Sequence, residues 1–255
     1  MRAFIFLALS SALVSCGAQG RAVSVLYAGS LVTPMEGPVA AALARRGVTL
    51  QGEPLGSKEI ANLIIAGLRR PDAVILVDPS LESTLERRGL IARSWTLGTT
   101  SLGLGWSQKS RLATRPRQTA RTILTSPGLR IARTDPRLDP KGAYTIEAVR
   151  IFLGSAEERA VLGTDENPVQ TFPEESLLVR LESGEADVGF VYETEAVARH
   201  LHFLPLPGRA SFSDRIVYTL AILKAAPHPA AAHAFAAFLL RGPGRAILER
   251  AGMVP

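Results

Sequence analysis

Five consecutive apolar residues, Ala73–Val77 (AVILV), restrict the fold of this chain more than any other stretch. A strand covered on both faces reads as an unbroken apolar run, and such strands belong to parallel sheets flanked by helices. The surrounding segments repeat the arrangement. Ala22–Tyr27 (AVSVLY) is a β-rich run followed by Ala28-Gly29-Ser30 and an apolar-periodic stretch to Arg46. Val48–Gln51 leads into Gly56-Ser57 and a predicted helix over Lys58–Leu68, and Pro79–Arg88 is predicted helical, closed by Gly89. Alternation of this kind builds βαβ units and a mostly parallel sheet. Pro38, inside the first helical stretch, predicts a kink there.

The middle of the chain changes character. Thr99–Gly105 is polar and glycine-rich; Leu129–Arg133 and Val188–Tyr192 read as strands around helices at Thr145–Leu153 and Glu174–Glu182. A proline-spaced segment, His202–Pro207, precedes a last strand at Ile216–Leu223 and two helices, Ala230–Leu240 and Gly244–Ala251. These changes predict an α/β protein of two lobes with chain crossings near 97 and near 204. Residues 16–97 and 204–255 would form lobe 1 and residues 98–203 lobe 2, each a mostly parallel sheet flanked by helices. Ligand would bind in the cleft, at the carboxyl ends of strands.

Residues 1–15 read as a signal peptide: Arg2 is a short positive region and Ala3–Val14 an apolar run too short to span a bilayer. Leu13-Val14-Ser15-Cys16-Gly17 resembles the bacterial lipoprotein processing box, which implies lipidation of Cys16 and anchoring to the outer face of a cell membrane, toward the periplasm or exterior. The alternative is an ordinary secretory signal with a chance cysteine. As the single cysteine of 255 residues, Cys16 leaves no disulfide framework and no thiolate metal cluster. The formal charge of +6 is spread along the chain, with Arg45-Arg46, Arg69-Arg70 and Arg87-Arg88 near predicted helix ends, where cations suit the macrodipole. Nucleic-acid binding would require a clustered patch and is not indicated.

Four predicted helix starts carry the chemistry: Ser30, Ser57, the Asp139-Pro140-Lys141-Gly142 loop and the Pro173-Glu174 turn. Unpaired N–H groups at such starts, joined by serine hydroxyls, could hold a compact oxyanion. Taken singly, each serine or aspartate is equally a good N-cap. The four histidines, His200, His202, His228 and His233, have no metalloprotease spacing, and no nucleophile elbow, P-loop or dinucleotide fingerprint occurs, so an enzyme is not indicated. Asp78 follows a buried strand but reads as the cap of the next helix.

Taken together, VLYAGSLVTPMEG, GSKEIANLIIAGLRRPDAVILVD, LRIARTDPRLDPKGAYTIEAV and ESGEADVGFVYETEAVA resemble the molybdate/tungstate-binding proteins of ABC importers. AFAAFLLRGPGRAILERAGMVP is similar to the closing helix pair of many solute-binding proteins. The resemblance covers almost all of Val23–Pro255 and implies a two-lobed periplasmic-binding-protein-like fold. By position it implies hydroxyl and N–H donation from Ser30 and Ser57, and backbone N–H donation from Lys141, whose side chain need not enter the site. It further implies donation from the Glu174 amide and from the Tyr192 phenol, although Tyr192 reads equally as a sheet aromatic.

Archaeal-type members carry aspartate at the position of Asp139 and a second carboxylate, and the two complete a six-coordinate metal centre. The second position aligns with Val191, with Glu193 and Glu174 the nearby alternatives. Asp139 followed by Pro140 is equally an N-cap with proline at the first helical position. The reading is therefore a monomeric, lipid-anchored receptor that needs no cofactor, delivers molybdate or tungstate to a membrane ABC permease, and has no nucleic-acid partner. A sulfate or phosphate receptor, or an envelope lipoprotein with a degenerate fold, are the alternatives.

Overall fold

The computed structural model describes residues 21–115, 118–164 and 167–255; the signal segment and Cys16 lie outside them. The strands, in chain order, are β1 (Arg21–Ala28), β2 (Val48–Leu55), β3 (Ala73–Val77), β4 (Ile91–Thr99) and β5 (Leu102–Trp106). They continue as β6 (Ile131–Thr134), β7 (Thr171–Phe172), β8 (Val188–Tyr192), β9 (His202–Pro205) and β10 (Val217–Leu223). Two five-stranded sheets result, ordered β2-β1-β3-β10-β4 and β7-β6-β8-β5-β9. Four strands of each run in one direction, three of them paired side by side, and β10 and β5 run antiparallel to both their neighbours. Each antiparallel strand is the first that the chain makes after entering its lobe.

The sheets are built by the expected alternation, and β3 is buried at all five positions. A continuous cluster of buried apolar side chains joins the lobes and includes Val25 and Ile75 of one sheet and Leu104 and Phe190 of the other. The first crossing is the short Thr100-Ser101 link. The second falls later than the sequence suggests: residue 204 lies within β9, paired with β5, and the 3₁₀ turn Gly208–Ser211 follows it. The chain rejoins the first sheet at Val217. Pro38 is accommodated in a π-helical turn, Met35–Val39, where the Ala40 N–H reaches back to the Met35 carbonyl, so the wider turn absorbs the missing donor.

The parallel strands deliver their carboxyl ends to one cleft. β1 ends before Ser30, β2 before the helix Ser57–Ile65, β6 before the helix Pro140–Leu153, β7 before the helix Glu174–Ser183, and β8 at Tyr192 itself. The lobes meet along it: Lys58 Nζ donates to the Pro136 carbonyl at 2.6 Å and the Glu59 N–H to the Leu138 carbonyl at 3.2 Å. Among the described residues no helix is long and apolar enough to cross a membrane.

Candidate functional site

Ser57 opens its helix from the end of β2 and is buried. Its Oγ accepts the Val77 N–H at 2.9 Å. Ser30, equally buried, accepts the Tyr218 hydroxyl at 3.0 Å. Tyr218 OH lies 3.0 Å from Thr194 Oγ1 of the opposite lobe; having given its one proton to Ser30, it must accept from Thr194. Both serines therefore have a lone pair engaged and a proton of their own to give.

Lobe 2 contributes carboxylates. Asp139 caps the helix Pro140–Leu153, its Oδ1 accepting the Lys141 N–H at 2.9 Å, while its buried Oδ2 has no partner among the described residues. Gly142 is required by the same turn: a Cβ there would lie 2.5 Å from the Thr134 carbonyl, so only glycine lets the helix start this close to β6. Asp139 and Glu174 line a cavity of about 140 Å³ between the lobes, with Gly56 and Glu59 across from them.

The Lys141 side chain departs from expectation. Its N–H is occupied by Asp139, and its ammonium is fully buried, 2.9 Å from Glu174 Oε1 and 2.7 Å from Glu195 Oε1. It also lies 5.3 Å from the centre of the Tyr192 ring. Burial opposes this charge, but Glu174, Glu195 and Asp139 outweigh it and hold the ammonium well above the usual lysine range. Glu174 is pushed well up, by burial first and then by Asp139, more than Lys141 offsets. The Tyr192 phenol, buried and without a hydrogen-bond partner among the described residues, is raised by burial and by the neighbouring Asp139 charge.

Glu193 does not join this group. Its carboxylate accepts from Ser101 Oγ at 2.8 Å, beside the first crossing. Two residues on, about 200° around the helix Glu193–Ala198, Glu195 faces Lys141. Val191 is buried in an apolar cluster with Leu177 and Leu181 and offers no carboxylate. Glu195, Thr194 and Tyr218 are the site residues that sequence reasoning missed. For Glu195 a signal existed: it stands three residues after Tyr192, as in a capping box, and its Oε2 accepts the Tyr192 N–H at 2.7 Å.

A family model described as bacterial extracellular solute-binding protein matches residues 23–254. The chain belongs to this family. This solute-binding protein is 29% identical over 206 residues to a Haloferax volcanii protein provisionally named an ABC transporter molybdenum-binding protein, matching 78% of this chain and 64% of that one. An uncharacterized solute-binding protein of Halobacterium salinarum is 32% identical over 200 residues, matching 75% of this chain and 63% of its own length. The chain thus spans just under two thirds of these relatives. Among solved structures, the periplasmic molybdate-binding protein of Azotobacter vinelandii superposes with a TM-score of 0.74 at 21% identity, covering 91% of this chain and 99% of that one. A sulfate-binding protein of Mycobacterium tuberculosis gives 0.69 at 17%, covering 92% and 87%. These likenesses show the two-lobed binding-protein fold. Asp78 is the predicted cap, accepting the Ser80 N–H at 2.9 Å, and His202 stacks on Trp106 at the edge strand β9, away from the cleft.

Proposed function

We propose that this solute-binding protein captures a tetrahedral oxyanion, molybdate or tungstate first, as the receptor of an ABC importer, tethered outside the cell membrane through a lipid on Cys16. The observation that carries the reading is the pair of buried serines. Ser30 and Ser57 stand at the ends of adjacent strands β1 and β2, and each has one lone pair taken by a protein donor and its own proton unspent. Such hydroxyls are set to donate to an oxygen atom, and hydrogen bonds to a charged acceptor contribute about 1.5–3 kcal/mol each. The match to a family of extracellular solute-binding proteins and the haloarchaeal relative's name support the same reading.

Asp139 favours a second reading, a phosphate receptor. Its Oδ2, without a partner among the described residues, borders the cavity and would accept the proton that hydrogen phosphate carries and molybdate lacks. Calorimetric titration of the purified protein with molybdate, tungstate, sulfate and phosphate separates the two. Preference for molybdate and tungstate supports the first reading, preference for phosphate the second, and failure of all four to bind refutes both.

A further inference from the structure

A fully buried ammonium, Lys141, stands behind a residue that lines the cleft, Glu174, and the resemblance leaves its side chain out of the site. Lys141 holds two carboxylates, and their attachments differ. Glu195 uses both oxygens, Oε1 on Lys141 Nζ and Oε2 on the Tyr192 N–H, so releasing it would break two bonds and the start of the helix Glu193–Ala198. Glu174 gives Lys141 one oxygen, at 2.9 Å. Its other oxygen lies against the opposite lobe, where a Cβ on Gly29 would come within 2.7 Å of Oε2. Glu174 also borders the cavity. One carboxylate is thus fixed behind the ammonium, and the other stands between the ammonium and the cleft, beside Gly29.

We propose that Lys141 is a direct anion-binding residue and that Glu174 is its built-in competitor: the bound oxyanion takes the place of the Glu174 carboxylate on Lys141 Nζ, while Glu195 keeps the ammonium in position. This rests on the oxyanion reading above. The exchange conserves contacts, since one charge-assisted bond from Nζ to a carboxylate is replaced by one from Nζ to an anionic oxygen. It also accounts for a buried ammonium beside a cleft already rich in carboxylates. Without it, an entering anion would meet Asp139 and Glu174, while Lys58 at the edge of the cleft is bonded to the Pro136 carbonyl. The arrangement differs from the ion pairs elsewhere in lobe 2. Asp187, for example, is held by Arg111 and Arg130 together and also accepts the Arg130 N–H at 2.9 Å, so no single partner holds it.

The test is Glu174→Gln, which keeps the shape and one acceptor for Lys141 but removes the competing charge. Molybdate binding, measured by calorimetry on protein whose melting curve confirms folding, should tighten by about tenfold or more, because the amide lacks the carboxylate's attraction for the ammonium and its repulsion of the entering anion. Adding Lys141→Met in the Glu174→Gln background should abolish that gain. Unchanged or weaker binding in Glu174→Gln, in a protein whose wild type binds molybdate, overturns the exchange and leaves the receptor reading intact. If neither the wild type nor Glu174→Gln binds molybdate, tungstate, sulfate or phosphate, the receptor reading falls and this inference with it.

Discussion

Replacing Ser57 with alanine separates two roles that its hydroxyl combines. As acceptor, Oγ satisfies the N–H of Val77 at the end of β3, at 2.9 Å and out of contact with solvent. As donor, it would bind the anion of the proposed receptor. Ser57→Ala removes both. The first loss leaves a buried backbone N–H without that partner and should cost about 1–3 kcal/mol of folding stability. The second should cost about 1.5–3 kcal/mol of binding, roughly 10- to 150-fold in Kd. Urea denaturation without ligand reads the first, and calorimetric titration with molybdate on folded protein reads the second. The helix Ser57–Ile65 keeps the rest of its starting geometry, because the Glu59 N–H bond to Leu138 and the Lys58 bond to Pro136 do not involve the hydroxyl. A variant less stable by this amount that binds molybdate with wild-type affinity would refute the assignment and make Ser57 a structural clamp alone.

Asp139→Asn distinguishes coordination from capping: asparagine caps about as well as aspartate, so a loss confined to molybdate and tungstate, with sulfate unchanged in parallel titrations, marks Oδ2 as a ligand of the metal centre. Tyr218→Phe should weaken binding by about 0.5–1.5 kcal/mol, the net worth of one neutral hydrogen bond, by releasing Ser30 and Thr194 together; calorimetry showing no change would remove Tyr218 from the site. Asp187 is opposed by burial, yet Arg130 and Arg111 hold its carboxyl well below the usual range, so its stabilisation is complete above the unfolded value of about 4 and is lost as pH falls through the lower folded value. Asp187→Asn should therefore lower the urea midpoint at neutral pH, with the difference from wild type shrinking in acid below pH of about 4. Cys16→Ala should move the protein from the membrane to the soluble fraction of cells, and equal membrane retention would count against the lipid anchor.

The central strands β3 and β8 could be read from the chain because each is buried at all five positions and correspondingly poor in polar residues. Ala73–Val77 is found where the sequence places it, and Val188–Tyr192 likewise. The antiparallel strand β5 was hidden by its own packing. Gly103 and Gly105 weaken any strand signal, yet a Cβ at the first would lie 2.5 Å from the Phe203 ring and at the second 2.5 Å from Val191. The strand is glycine-rich because its neighbours press on it. β9 was obscured by Pro205, tolerated at the edge of a sheet. In the site, Ser30, Ser57, Asp139 and Glu174 were legible as helix starts. Tyr218 and Glu195 were not, because their roles depend on contacts across 188 and 54 residues of chain that no local pattern records.

The strand orders also determine when each lobe can be completed. All five strands of the second sheet lie between Leu102 and Pro205, in one uninterrupted length of chain. The first sheet is different: β10 lies between β3 and β4, and among the described strands β4 pairs with no other. Until Val217–Leu223 is available, β3 has an open edge and β4 has nowhere to dock. Lobe 1 therefore waits for the whole of lobe 2 to pass through the exit channel, whether ribosomal or export. The lobe that begins first finishes last, and its apolar β3 edge is the surface most in need of a chaperone in the interval.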